Sequence, residues 1–142
     1  HRRLLAQTAL QLIADGKNQK AINILKKADV EIPAYNVTLD YMSGGLDMAR
    51  GWLLTGQKAK GKEYVEAVWK NAHQYLDYYL SLSNDRFLQS QNDCIRQIMI
   101  MQSVCDVAGM VSPQLQKSYE KQLNALYTLY RGRGGSMPQG NQ

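Results

Sequence analysis

Few residue types in this 142-residue chain could do chemistry, and their spacing argues against most of it. His73 is the only histidine inside the chain. It has no partner at metal-ligand spacing, so the reading is a solvated or hydrogen-bonded imidazole and no metal. Cys94 and Cys105 fall on one predicted helix, roughly 16 Å apart along its axis, too far for a disulfide. Both read as buried free thiols. Asp77 and Asp85 form the one carboxylate pair that a turn between helices could bring together. A paired-carboxylate site would also need a cleft and separated pKa values; helix capping and solvation account for the two more simply. No Gly-x-Ser-x-Gly elbow, Gly-Lys-Ser/Thr loop or Gly-x-Gly-x-x-Gly run is present. The common nucleophile and phosphate-loop chemistries therefore have no carrier here. No catalytic residue and no cofactor is assigned.

The composition suits a scaffold. The chain is 44% hydrophobic and 20% charged, with three prolines and eleven glycines, which favours a helical soluble domain. The most apolar run, residues 95–110, is interrupted by Arg96, Gln97, Gln102, Ser103 and Asp106, short of the about 18 apolar residues that span a bilayer. The net charge of +5 comes largely from Arg2, Arg3, Lys17, Lys20, Lys26 and Lys27, then Lys58, Lys60 and Lys62. These positions fall at helix ends and turns, where cations are solvated, and they do not form the dense stripe of a nucleic-acid binder. An anionic membrane surface fits a mildly basic patch better. The chain opens on His1 with no signal-peptide pattern and reads as a segment of something longer.

The apolar spacing places the elements. Leu4/Leu5, Thr8/Ala9 and Leu12/Ile13 predict a first helix over 2–15, ended by Gly16. Asn18 is the expected N-cap of a second helix carrying Ala21, Ile22, Leu25 and Ala28, which Pro33 stops. After an extended linker over 33–38, a third helix is expected to start at Thr38 or Asp40. Its Gly44, Gly45 and Gly51 read as a seam where another backbone approaches closely. A fourth helix over 59–80 ends in the tyrosine tract Tyr75, Tyr78, Tyr79, part of which should lie under the next helix pair. A fifth is expected from Asn84 or Asp85 to Gly109. Its stripe runs through Phe87/Leu88, Cys94/Ile95, Ile98/Met99, Met101 and Cys105. Ser112-Pro113 opens a sixth, with Leu115, Tyr119, Leu123, Leu126 and Tyr130 inward. The six methionines read as core gap-fillers, and the polar, glycine-rich stretch over 132–142 reads as a flexible tail.

One pattern occurs twice. Leu5, Ala9, Leu12, Ala21, Leu25 and Ala28, with Gly16 between, recur as Gly45, Ala49, Trp52, Gly61, Val65 and Val68 around Gly56. Leu5-x2-Thr8-Ala9-x2-Leu12, then Ala21-x3-Leu25, then Pro33 follows the small-against-large order of a tetratricopeptide unit, and three helix pairs meet the minimum for a stable stack. The expected fold is all-α, a tetratricopeptide-like superhelix of about six helices in three antiparallel hairpins. Its domain covers 1–131, with hairpins over about 2–32, 39–82 and 84–131. The inner helices of such a stack line a concave face, where Tyr41, Arg50, Trp52 and Gln57 are the candidate binding residues.

The segments Leu39-Asp40-Tyr41, Gly56 and Leu76-Asp77-Tyr78-Tyr79-Leu80-Ser81-Leu82 carry a resemblance. The chain resembles the soluble C-terminal region of Bacteroidetes multi-spanning membrane proteins of the protein O-mannosyltransferase-like family. That likeness covers more than half of the chain, from Leu5 to Leu82. It implies a non-catalytic accessory or interaction domain on the periplasmic side of the inner membrane, attached through upstream spans of a glycosyltransferase-like parent. The implied partner is a protein, a peptide or the parent's own membrane domain, and no nucleic acid. Catalytic carboxylates of such parents lie in early extracytoplasmic loops, so none falls on a residue here. The competing readings are a helical enzyme with a carboxylate cleft near Asp77 and Asp85, and a weakly basic nucleic-acid binder.

Overall fold

Left-handed glycines set two of the corners of this chain. Gly16 and Gly56 have φ of 76° and 80°, and each follows a helix whose last carbonyls would otherwise lack donors. The N–H groups of Gly16 and Lys17 reach the carbonyls of Ile13 and Leu12 at 3.0 and 2.8 Å. Those of Gly56 and Gln57 reach Leu53 and Trp52 at 3.1 and 2.8 Å. The two turns are the same Schellman closure, the backbone counterpart of the repeated side-chain pattern.

A computed structural model describes residues 1–33 and 39–137. Among them the regular structure is all α-helix: α1 (Arg2–Ala14), α2 (Asn18–Glu31), α3 (Gly45–Leu54), α4 (Lys58–Leu80), α5 (Asn84–Gln89), α6 (Gln91–Val111) and α7 (Pro113–Gly132). Helices α1 and α2 pack together, as do α3 and α4, and α6 and α7; α3 also rests on α1, and α4 on α6. The repeated positions Ala9, Ala21, Leu25 and Ala28, with Ala49, Trp52, Val65 and Val68, all lie in one core. At the other end of that core the rings of Trp69 and Tyr119 stack at 4.0 Å and 3°, joining α4 to α7. Burial pushes the Tyr119 phenol up to about 12.

Several boundaries differ from the sequence expectations. Asn18 is the first helical residue of α2, and Lys17 precedes it without a side-chain cap. Helix α3 does not start at Thr38 or Asp40: Thr38 and most of the expected linker lie outside the described residues, and the helix begins at Gly45. The Asp40 carboxylate instead accepts the Ser43 N–H at 2.7 Å, closing a local turn that competes with helix. Gly44 then adopts φ 89° and redirects the chain. The glycines do mark close packing, but another helix's backbone, that of Arg3, approaches at Gly44, whereas side chains crowd Gly51 and part of Gly45. A Cβ on Gly45 would lie 2.8 Å from both the Asp40 carbonyl oxygen and Val68, and one on Gly51 would lie 2.9 Å from Leu25.

The expected fifth helix is two. Ser90 donates its hydroxyl to the Arg86 carbonyl at 2.8 Å, and the chain breaks there, which lets Phe87 of α5 turn inward against Tyr130. Gly109 does not close α6, which continues to Val111. Its bare backbone makes room for Gln116, whose amide donates to the Cys105 carbonyl at 3.1 Å. Ser112 does cap α7, accepting the Leu115 N–H at 3.1 Å with Pro113 first in the helix. Both cysteines are buried on α6, and burial lifts each thiol to about 11.

The stretch expected as a tail from Gly132 is held as far as Ser136. Arg133 donates to the Leu80 carbonyl and to Asn84 at 2.8 and 2.9 Å and lies over the Phe87 ring. Tyr130 donates to the Ser136 carbonyl at 2.7 Å, and Ser136 binds Gln91. Residues 138–142 of that expected tail lie outside the described residues.

Two cations expected in solvated basic clusters are instead committed to partners, Arg2 in the interior and Lys60 on the half-exposed surface. Arg2 is only 2% exposed. Its guanidinium donates to Ser43 Oγ and to the Ile32 carbonyl, both at 3.0 Å, tying α1 to the end of α2 and the turn before α3. Lys60 meets Asp29 at 2.7 Å, and the Tyr64 hydroxyl donates to the same carboxylate. Burial pushes the Asp29 carboxyl up, but its bonds from Lys60 and Tyr64 outweigh this and hold it below the usual range. A carboxylate with a depressed folded pKa contributes stability above its unfolded pKa and loses it as pH falls through the folded value. Thermal stability should therefore decline below about pH 4, and Asp29→Asn should flatten that acid limb while lowering the pH 7 melting temperature. Unchanged acid sensitivity in the variant would remove Asp29 from this role.

Candidate functional site

Helix α6 is apolar on more sides than its neighbours, chiefly α4 and α7 with α3 and α5 touching it, can cover. Its Cys94, Ile98, Met101, Val104, Cys105 and Ala108 are buried, and α4 and α7 pack on it. It is the one helix among the described residues long and apolar enough to cross a membrane, at mean hydropathy 1.2. Yet 56% of that stretch is buried, so its place in the core accounts for the composition.

A further stripe at helical spacing runs through Asn92, Ile95, Arg96, Met99, Gln102 and Asp106. With Tyr41 and Met42 from the turn before α3, this stripe lines a hollow of about 590 Å³. Met42 is 65% exposed and Met99 52%. Ile95 is half-buried between them along the same wall. A second hollow of about 240 Å³ adjoins it, sharing Tyr41, Met42, Arg96 and Ile100, and adding Asn71, Tyr75, Tyr79 and Gln97. A third, of about 440 Å³, continues along α4 past Tyr75 to Gln74 and Tyr78. Together they form one groove over α6, the 40–42 turn and the C-terminal half of α4.

The four residues expected on a binding face do not gather there. Tyr41 lines the first two hollows. Arg50 is half-buried and engaged by Asp47 at 2.9 Å on its own helix. Gln57 is exposed at the turn before α4. Trp52 is 2% exposed and belongs to the core; in the small-large register of the repeat, the large residue is the one that fills space between helices. The wall of the groove comes instead from α6 and from the tyrosine tract, where Tyr75 and Tyr78 are exposed and Tyr79 is half-buried. Nor are all the methionines gap-fillers: Met48 and Met101 are buried, whereas Met42, Met99 and Met110 reach the surface. The signal for this was present in the sequence. The α6 apolar stripe is wider than one helical face, and Arg96, Gln102 and Asp106 punctuate its outer edge.

Asp77 and Asp85 line none of these hollows. Asp77 meets His73 Nδ1 at 2.8 Å, one turn away on α4, a pairing that the sequence reading missed. Asp85 sits in the first turn of α5, where a carboxylate favours the helix dipole. Among the described residues no three His, Cys, Asp or Glu side chains gather as a metal site. Arg96 is paired with Asp93 at 3.3 Å at the groove's centre. The groove therefore offers apolar contact and amide and hydroxyl groups, with Arg96, Asp40 and Asp106 as its charges. No family model, curated protein or solved structure matches the chain.

Proposed function

We propose that this chain is a non-catalytic interaction domain, a tetratricopeptide-like stack of helical hairpins that holds a polypeptide partner along α6. The observation that carries the reading is the 590 Å³ hollow walled by Tyr41, Met42, Ile95 and Met99. Exposed apolar side chains gathered in one concavity, and not scattered singly, mark a surface that another molecule covers. Methionine walls adapt to the shape of a partner, because the side chain is unbranched and polarizable. The resemblance carried by Leu39-Asp40-Tyr41 and by Tyr78-Tyr79-Leu80-Ser81-Leu82 supports a particular partner. That partner is the membrane-embedded part of a longer, glycosyltransferase-like chain, with this domain on the periplasmic side.

A photo-crosslinking residue at position 99 of the full-length protein in native membranes tests this. Crosslinks should form to a polypeptide segment, and the same probe at the exposed Lys26 should form none. Adding Met42→Glu to the probe-bearing chain should cut the yield about tenfold, since a carboxylate in that wall must lose its hydration against apolar groups. Probe at position 99 that captures no polypeptide at all would end the reading.

A further inference from the structure

The 240 Å³ hollow beside the methionine wall has a different chemistry. Tyr41, Tyr75 and Tyr79 bring ring surface to it, Asn71 and Gln97 bring amides, and Arg96 brings a guanidinium. The Tyr75 ring stacks on Tyr79 at 6.4 Å and 25°, so it is backed from within, while 49% of the residue stays exposed. The adjoining hollow extends this surface with Gln74 and Tyr78.

The polar groups here are unspent. Among the described residues, the amides of Asn71, Gln74 and Gln97 and the hydroxyls of Tyr75, Tyr78 and Tyr79 have no hydrogen-bond partner in the protein. An amide offers a donor and an acceptor side by side, which suits a hydroxyl that must do both at once. A backed aromatic face suits the patch of C–H groups on one side of a pyranose ring. Two other ligand classes fit worse. A phosphorylated ligand needs convergent cations, but Arg96 is the one cation lining this hollow, it is already paired with Asp93, and Asp40 stands in the same wall. A wholly apolar ligand would bury the amides without partners.

We infer that this hollow and its continuation bind a neutral glycan. One hexose ring stacks on Tyr75, and its hydroxyls are shared by Asn71, Gln97 and Arg96. The inference goes beyond the polypeptide reading and does not depend on it. The two hollows share Tyr41, Met42, Arg96 and Ile100, but Tyr75, Asn71 and Gln97 line this one and not the first, and Ile95 and Met99 line the first and not this one.

The test is a titration of the 142-residue chain with maltotriose, cellotriose, mannotriose and triacetylchitotriose. Ligand-detected saturation-transfer NMR and calorimetry give the readout. At least one trisaccharide should bind with a dissociation constant of about 1 mM or tighter, as befits an open site with few contacts. Tyr75→Ala and Asn71→Ala should each weaken binding about tenfold or more. Tyr75→Phe should keep it, because stacking does not need the hydroxyl. Met99→Glu should leave it unchanged, which separates this site from the polypeptide groove. Tyr75→Ala should melt at the native temperature, since the side chain is half in solvent. Failure of all four sugars to bind would overturn the inference. So would a Tyr75→Ala protein that binds as well as the native one, or glucose 6-phosphate binding more tightly than every neutral sugar.

Discussion

Gly44→Ala should destabilise the protein by about 3 kcal/mol, summing left-handed strain and overpacking. Gly44 has φ 89°, a conformation that a Cβ resists, and that Cβ would sit 2.6 Å from the Arg3 Cα. The obstacle is backbone and cannot swing aside. Gly16 is the internal control. It has φ 76°, yet nothing lies within 4 Å of its Cβ position, so Gly16→Ala should cost only the strain, about 1 kcal/mol. Urea denaturation should show the midpoint falling for both variants at an unchanged slope, with Gly44→Ala falling severalfold further. Equal losses at the two positions would mean that α1 does not press on the turn before α3.

Arg2→Ala should cost about 3 kcal/mol, because it empties a buried side-chain position and leaves two half-buried acceptors without this donor. The guanidinium serves Ser43 Oγ and the Ile32 carbonyl together. Burial lowers its pKa, while Tyr64, Asp40 and Asp29 pull the other way, so the charge is held in place by the field of its neighbours. Arg2→Lys should recover only part of the loss, since one ammonium cannot span both acceptors in the planar fork geometry. A cycle with Ser43→Ala should reveal a coupling of about 1 kcal/mol. If Arg3→Ala, one position along on an exposed residue, proved as damaging as Arg2→Ala, the Arg2 contacts would not be the cause.

Which elements form was readable because helices are local. Apolar residues three and four apart, glycine past the last turn, and Ser112-Pro113 at a helix start act within a few residues of themselves. Helices α1, α2, α4 and α7 accordingly lie close to where periodicity places them. The start of α3 and the break before α6 were not readable. Each depends on a short polar side chain, Asp40 or Ser90, choosing a nearby backbone group over the helix ladder. The energies of the two choices differ by little, and packing against remote residues such as Val68 and Tyr130 decides.

The candidate site divides the same way. Sequence singled out Tyr41 as a surface aromatic, but it expected part of the Tyr75, Tyr78, Tyr79 tract to lie under the next helix pair, whereas Tyr75 and Tyr78 are exposed. It also marked Trp52 and Arg2 as surface groups, and both are buried. A side chain's type sets what it can do, whereas exposure is set by which helix covers it, and that is a long-range property.

By itself, then, the sequence determined the all-helical character, the glycine-closed turns and the repeated small-large packing register. Each of these follows from residue types at short separation. Only the tertiary structure decided that α6 keeps a stripe uncovered. It alone brought the 40–42 turn and the α4 tyrosines to that stripe, and it alone turned Arg2 inward to lock α1, α2 and α3 together. Those outcomes require residues far apart in the chain to compete for the same volume, and no local pattern encodes the winner.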